Sequence, residues 1–192
     1  MSHLKKVFGT PIWEDIRVPV TATRKEGSKQ PGFGQFKDDG SSSQGVFIDW
    51  FDKSTEEELY FAMQMPHSYK FGTDLHAHVH WVPETTGGAN ELVRWGMEYT
   101  FQEINSVFGN TTLIYSSAVA GGDTTMVAGK HYLTELGEID GSAIDSVSSM
   151  LIGRIFRDAT HADDDYDDDA GLLEIDFHYQ KDTDGSRQEY VK

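Results

Sequence analysis

The sequence contains no cysteine, which removes disulfide cross-links, thiolate catalysis and cysteine-ligated zinc together. It has no apolar run of about 18 residues, so no segment reads as a membrane-spanning helix. Its first residues, Met1 to Lys6 followed by Val7 and Phe8, lack the apolar core of a signal peptide, and the expectation is a soluble product that is not exported. Positive charge is also scarce. Sixteen Lys and Arg face 32 Asp and Glu, a formal net charge of −16, and a field of that sign repels phosphate backbones and anionic lipid. Nucleic-acid and membrane-surface partners are therefore disfavoured.

What is present suffices for one ordinary domain. The 192 residues are 38% hydrophobic and 12% aromatic, and a soft prior of about 150 residues per domain leaves no room for two full ones. The charge is uneven along the chain. Residues 1–40 hold seven basic side chains and five acidic ones, a net of +2, so the rest carries −18. The same stretch has three of the five prolines (Pro11, Pro19, Pro31) and leads into a Gly/Ser-rich tract from Gly32 to Gly45. Residues 1–45 read as an extended N-terminal arm with little helix, ahead of a body spanning 46–192. Within the arm, Trp13 and the alternating Ile16, Val18 and Val20 can add one strand to the body or to a neighbour.

From Val46 onward the dominant hydrophobic period is two. Val93, Trp95, Met97, Tyr99 and Phe101 alternate with Arg94, Gly96, Glu98, Thr100 and Gln102, and Leu173, Ile175, Phe177 and Tyr179 alternate with Glu174, Asp176, His178 and Gln180. Each pattern predicts a strand with one wet face. Further strands are predicted over 46–51, 59–65, 73–82, 111–118, 130–136 and 149–157. Turn chemistry separates them at Pro66-His67, 85–90, Gly109-Asn110, Gly121-Gly122-Asp123, Asp140-Gly141 and 163–171. About eight strands with short connections predict an all-β antiparallel β-sandwich or jelly roll. A helical turn or two is entertained only at 54–58, where Ser and Thr precede acids.

Two clusters invite a chemical reading. His76, His78 and His80 alternate with Leu75, Ala77, Val79 and Trp81, so the pleat puts three imidazoles and Asp74 on one face of a strand. Neutral imidazole ligates transition metals. Gly72, His78, His80 and Glu84 even fit the first half of the cupin metal signature, but the second half is missing and no proline follows Pro83. The preferred reading is structural: histidines on a half-buried face, or, with Trp81, at a subunit contact. The second cluster, His161 to Gly171, packs six carboxylates into the seven residues 163–169, a density of oxygen ligands that suits calcium. Asp165, Asp167 and Asp169 would be the ligands, yet Ala170 stands where an EF-hand requires glycine and no bidentate Glu follows, so a solvated loop is preferred. No nucleophile elbow, phosphate-binding loop or dinucleotide fingerprint follows a strand. Neither an enzyme nor a cofactor is expected.

Several blocks taken together resemble a known family: Trp13-Glu-Asp-Ile-Arg-Val-Pro19; Met65 to Trp81 with its His-Val-His-Trp end; Trp95-Gly-Met-Glu-Tyr99; Met150 to Asp158; and Leu173 to Gln180. The combination resembles small tailed-bacteriophage proteins encoded among virion structural genes. That resemblance implies a virion component built on a β-sandwich and carries no established catalytic or binding residues. Within a virion, a body of −18 repelled by packaged DNA and the habit of jelly rolls to assemble as trimers lead to the expected role: a capsid decoration or cement protein on the outer surface of the head, bound to the major capsid protein and to itself as a homotrimer. Trp13, Ile16, Arg17 and Val18 would anchor the arm to the shell, and His76, His78, His80 and Trp81 would form the trimer contact. The alternatives are a tail or fibre-tip protein contacting a host receptor or glycan, and a cupin-like metal enzyme.

Overall fold

A computed structural model describes residues 10–117 and 125–192. The start of the chain and the Gly121-Gly122-Asp123 turn lie outside the described residues. Among the described residues, ten strands form two antiparallel sheets. They are β1 (Ile12–Pro19), β2 (Gly32–Lys37), β3 (Val46–Phe51), β4 (Glu57–Gln64), β5 (Leu75–Pro83), β6 (Trp95–Gln102), β7 (Thr112–Tyr115), β8 (Tyr132–Ile139), β9 (Met150–Arg157) and β10 (Ala170–Lys181). Eight of them, β3 to β10, match the strands that the period-two pattern predicts for the body. The larger sheet runs β2-β3-β10-β5-β8, with β1 also on β10, and the smaller runs β4-β9-β6-β7.

The segment read as an arm supplies two strands of the larger sheet. β1 pairs with β10 from Ile12↔Lys181 to Pro19↔Glu174, and β2 pairs with β3. The boundary at residue 45 therefore does not separate an arm from a body. The alternation of Ile16, Val18 and Val20 is satisfied within the chain, because β10 is long enough to take β3 on its first residues and β1 on the remainder of the same edge.

The apolar faces of the two sheets meet in the core. Leu75, Ala77, Val79 and Trp81 of β5 and Ile175 and Phe177 of β10 are buried, as are Leu59, Phe61, Met97, Leu151 and Ile155 of the smaller sheet. Aromatic rings bridge the layers: Phe51 meets Trp95 edge-on at 5.1 Å between ring centres, and Phe61 lies 6.0 Å from Phe177. Gly96 is required where the chain passes under the Phe156 ring, which an added Cβ would overlap, and Gly141 where a Cβ would run into the Thr73 carbonyl.

No helix forms at 54–58. The Asp52 carboxylate accepts the N–H groups of Ser54 and Thr55 and the Ser54 hydroxyl, which fixes a turn that leads directly into β4. Among the described residues the one helical element is the short 3-10 turn Val20–Ala22.

Glu57, at the start of β4, accepts the Asp52 N–H at 2.7 Å. Burial pushes its carboxyl above the usual range; that hydrogen bond opposes the rise, and the charges of Asp52 and Asp169 add to it. A carboxyl with a folded-state pKa above its unfolded value costs stability when ionised, and the cost disappears as pH falls through the folded-state value. Glu57→Gln keeps an acceptor for Asp52 and removes the charge. Its melting midpoint is expected above the parent's at neutral pH, with the difference closing below about pH 4, where the parent's carboxyl is protonated in both states. Thermal unfolding across pH checks this, and a constant or inverted difference would contradict it.

Candidate functional site

The outward face of the larger sheet is a polar ladder assembled from four neighbouring strands. The register sets Trp13, Asp15 and Arg17 of β1 opposite Gln180, His178 and Asp176 of β10, and sets Glu174, Asp176 and His178 opposite His80, His78 and His76 of β5. A bulge in β8 then places Glu138 opposite His76 and Glu135 opposite His78. Residues two apart on each strand share this face because the side chains alternate.

The middle of the ladder is drawn below the surface. His78 is 4% exposed and Asp176 5%, and the His78 and His178 rings lie 4.3 Å apart between centres. Asp176 Oδ2 faces His178 Nε2 at 3.4 Å and His80 Nε2 at 3.5 Å. His80 Nδ1 continues the chain to His131 Nε2 at 2.8 Å, and Asp15 Oδ1 lies 3.1 Å from His178 Nε2. Two atoms inside this network, His78 Nδ1 and Asp176 Oδ1, are buried with no hydrogen-bond partner. Burial lowers the His78 pKa, and the neighbouring His178 lowers it further.

The three histidines read together from sequence separate here. His76 leaves the cluster: its ring takes the edge of Trp13 at 4.9 Å, and its Nε2 lies 3.9 Å from Glu138. His80 reaches the cluster only through Asp176. Among the described residues, the group able to offer three ligand atoms within 4.8 Å of one another is His78, Asp176 and His178. Asp176 and His178 were not singled out from sequence. Their signal was the alternation of Glu174, Asp176 and His178, which has no chemical reading until β10 is known to lie beside β5.

Trp81 is fully buried on the opposite, core side of β5, donating its indole N–H to Thr134 Oγ1 at 2.9 Å. It is a core residue and cannot form a trimer contact. The expected arm anchors are largely occupied within the chain. Val18 is 4% exposed and Ile16 packs against the core, while Arg17 makes a two-pronged bond to Glu174 at 2.8 and 2.9 Å. Trp13 remains 44% exposed.

The acidic run is ordered by hydrogen bonds within the chain. Arg157 of β9, fully buried, gives Nε and Nη2 to Asp164, Nη1 to the carbonyls of Phe51 and Asp168, and Nη2 also to the carbonyl of Tyr166. The Asp165 carboxylate accepts Leu92 N–H and the Asp169 carboxylate accepts Lys53 N–H, whereas Asp167 contributes its main-chain carbonyl to Lys53 Nζ. Among the described residues, Asp165, Asp167 and Asp169 form no converging ligand set. Backbone N–H groups, not a shared ion, meet the Asp165 and Asp169 carboxylates.

Two surface features remain open. Among the described residues β2 pairs only with β3, which makes it an edge strand. There Phe33 and Phe47, 69% and 42% exposed, stack with ring centres 5.6 Å apart, beside a cleft of about 250 Å³ lined also by Pro19, Val20 and Leu172. On the outer face of the smaller sheet, Tyr60, Glu98, Thr111, Ile152 and Arg154 line a shallow groove of about 280 Å³. Arg154 binds Glu98 at 2.9 Å and Glu58 at 2.5 Å. The Thr111 hydroxyl, then Arg154, hold the Glu98 carboxyl below its usual range.

No protein-family model matches the sequence, and a search of curated proteins finds no match. Solved structures with a similar arrangement include that of the infectious bursal disease virus Gx strain, at TM-score 0.40 and 11% identity over 92% of this chain and 33% of that one. A second holds the CBM22-1–GH10 modules of Clostridium thermocellum endo-1,4-β-D-xylanase 10B complexed with xylohexaose, at TM-score 0.41 and 9% identity over 93% of this chain and 29% of that one. A third is TmCBM27, a carbohydrate-binding module described for specific mannan recognition, at TM-score 0.33 and 17% identity over 91% of this chain and 100% of that one. The chain spans about a third of the length of the first two. The antiparallel β-sandwich itself is established by the strand pairing.

Proposed function

We propose that the protein is a structural component of a tailed-phage virion, a decoration or cement protein that binds the outside of the head and performs no catalytic turnover. The observation that carries this reading is the stacked, exposed Phe33–Phe47 pair on an unpaired sheet edge. An edge strand presents a row of backbone donors and acceptors to which another chain can add, and exposed aromatic side chains beside an apolar cleft are the usual anchors of a protein contact. The edge lies in the least acidic part of the chain, while the −18 carried beyond residue 40 keeps the bulk of the molecule away from packaged DNA. The partner is the major capsid protein, and the working unit a homotrimer, whose mass light scattering at micromolar concentration reads directly.

Anchoring therefore moves from Trp13, Ile16, Arg17 and Val18 to Phe33 and Phe47. Phe33→Asp and Phe47→Asp change exposed positions and should leave the fold intact, while each costs about 2 kcal/mol of shell binding if these rings are anchors. Cosedimentation with heads measures this, and undiminished binding by the double variant would remove the edge as the contact. Copy number tests location. A decoration protein is expected at tens to hundreds of copies per particle, whereas about six or a dozen, the multiplicities of a tail, would overturn the head assignment.

A second reading, a tail or fibre-tip protein that binds host glycan, is favoured by one feature. The half-exposed Tyr60 ring lies in a groove beside Glu98 and Arg154, an aromatic platform flanked by charged hydrogen-bonding groups. Glycan binding that is lost in Tyr60→Ala, together with a low copy number, would select it.

A further inference from the structure

We propose that His78, Asp176 and His178 bind a divalent first-row transition ion of the zinc type, which clamps β5 to β10 on the outer face of the larger sheet. The ligand atoms of these three side chains lie within 4.8 Å of one another, and they come from two strands held in fixed register at His78↔Asp176. The positions are set by the backbone ladder and need no rearrangement of a loop.

The division of labour among the atoms is what distinguishes this cluster from an ordinary polar patch. Asp176 Oδ2 is engaged by His80 and His178, and His78 Nε2 faces Glu135 at 3.9 Å. The other atom of each group, Asp176 Oδ1 and His78 Nδ1, is buried and has no partner. A buried nitrogen and a buried carboxylate oxygen left unmatched on two residues that face each other across the ladder are costly unless something satisfies them. A cation does so, since it accepts a lone pair from each. Two imidazole nitrogens and one carboxylate oxygen, with no sulfur, form a donor set suited to zinc and its neighbours.

The surroundings supply the outer contacts that metal ligands ordinarily have. His80 and His131 form a chain of imidazoles leading to Asp176, and Asp15 of β1 meets His178 at 3.1 Å. Such partners fix ring orientation and ligand basicity. Through Asp15 the ion would also steady β1. The inference does not depend on the virion reading, because it uses no residue of the β2–β3 edge.

The test uses the full chain, stripped with a chelator and titrated with zinc chloride by calorimetry, with Co²⁺ as a visible-absorption probe of the same ligands. One ion per chain and a higher melting midpoint with zinc are expected. His178→Gln, at a half-exposed position, should weaken binding by about 10- to 100-fold or more, as should Asp176→Asn. His76→Gln should leave binding unchanged. If Asp176→Asn does not fold, His178→Gln still decides the matter. No saturable uptake at micromolar metal overturns the proposal; so does uptake that survives His178→Gln, or that His76→Gln weakens equally.

Discussion

Arg157→Met is expected to lose most of the protein's stability, a drop of at least about 3–5 kcal/mol in denaturant unfolding. Single domains are stable by only about 5–15 kcal/mol in total, so the variant would populate unfolded chains at physiological temperature. The side chain is fully buried, and all of its hydrogen-bonding nitrogens are engaged, by Asp164 and by the carbonyls of Phe51, Tyr166 and Asp168. Removing the guanidinium strands the Asp164 carboxylate, itself fully buried, and orphans carbonyls from two separate segments. Arg157→Lys should recover little, because an ammonium cannot reproduce the planar fork that meets these acceptors together. Removing both charges, in Arg157→Met with Asp164→Leu, should recover part of the loss. An unfolding midpoint for Arg157→Met close to the parent's would show that the acidic loop is not organised around this cation.

The second large effect is expected at Trp81. Trp81→Ala leaves a cavity against Trp95 and Tyr132 and strands the Thr134 hydroxyl in the core, a cost of about 3–5 kcal/mol. Trp13→Ala provides the contrast. That indole is 44% exposed and touches His76 at its edge, and a surface truncation of this kind should change stability by no more than about 0.5 kcal/mol. Near-native unfolding of Trp81→Ala would contradict its place in the core.

These two tryptophans show where sequence reasoning succeeded and where it stopped. Period-two alternation located β3 to β10 because a strand with one wet face writes its pleat into the order of residues. It also separated the core side of β5 from the imidazole side. It could not tell a core place for Trp81 from an interface, since both environments are apolar. Strand neighbours were not legible either. Nothing in the order of residues says that β10 lies between β1 and β5, so the donor set was sought along one strand, His76, His78 and His80, when it is built across two. The acidic run misled for a related reason. Six carboxylates in seven residues look like a cation site or a solvated loop until Arg157, and the N–H groups of Leu92, Arg94 and Lys53, are seen to meet three of them.

The place of β10 at the centre of the larger sheet also governs how the molecule is made. It is the last of the described strands in sequence order, and β1, β3 and β5 all hydrogen-bond to it. On a ribosome the first strand emerges about 160 residues before its mate, so the sheet stays open along its middle until β10 has been made. Folding then depends on pairings between strands far apart in the sequence, the kind of long-range closure that slows β-rich proteins. Truncations entering residues 170–181 from the carboxyl side should therefore leave three orphaned edges at once and yield insoluble product, where equally short deletions beyond Lys181 should not.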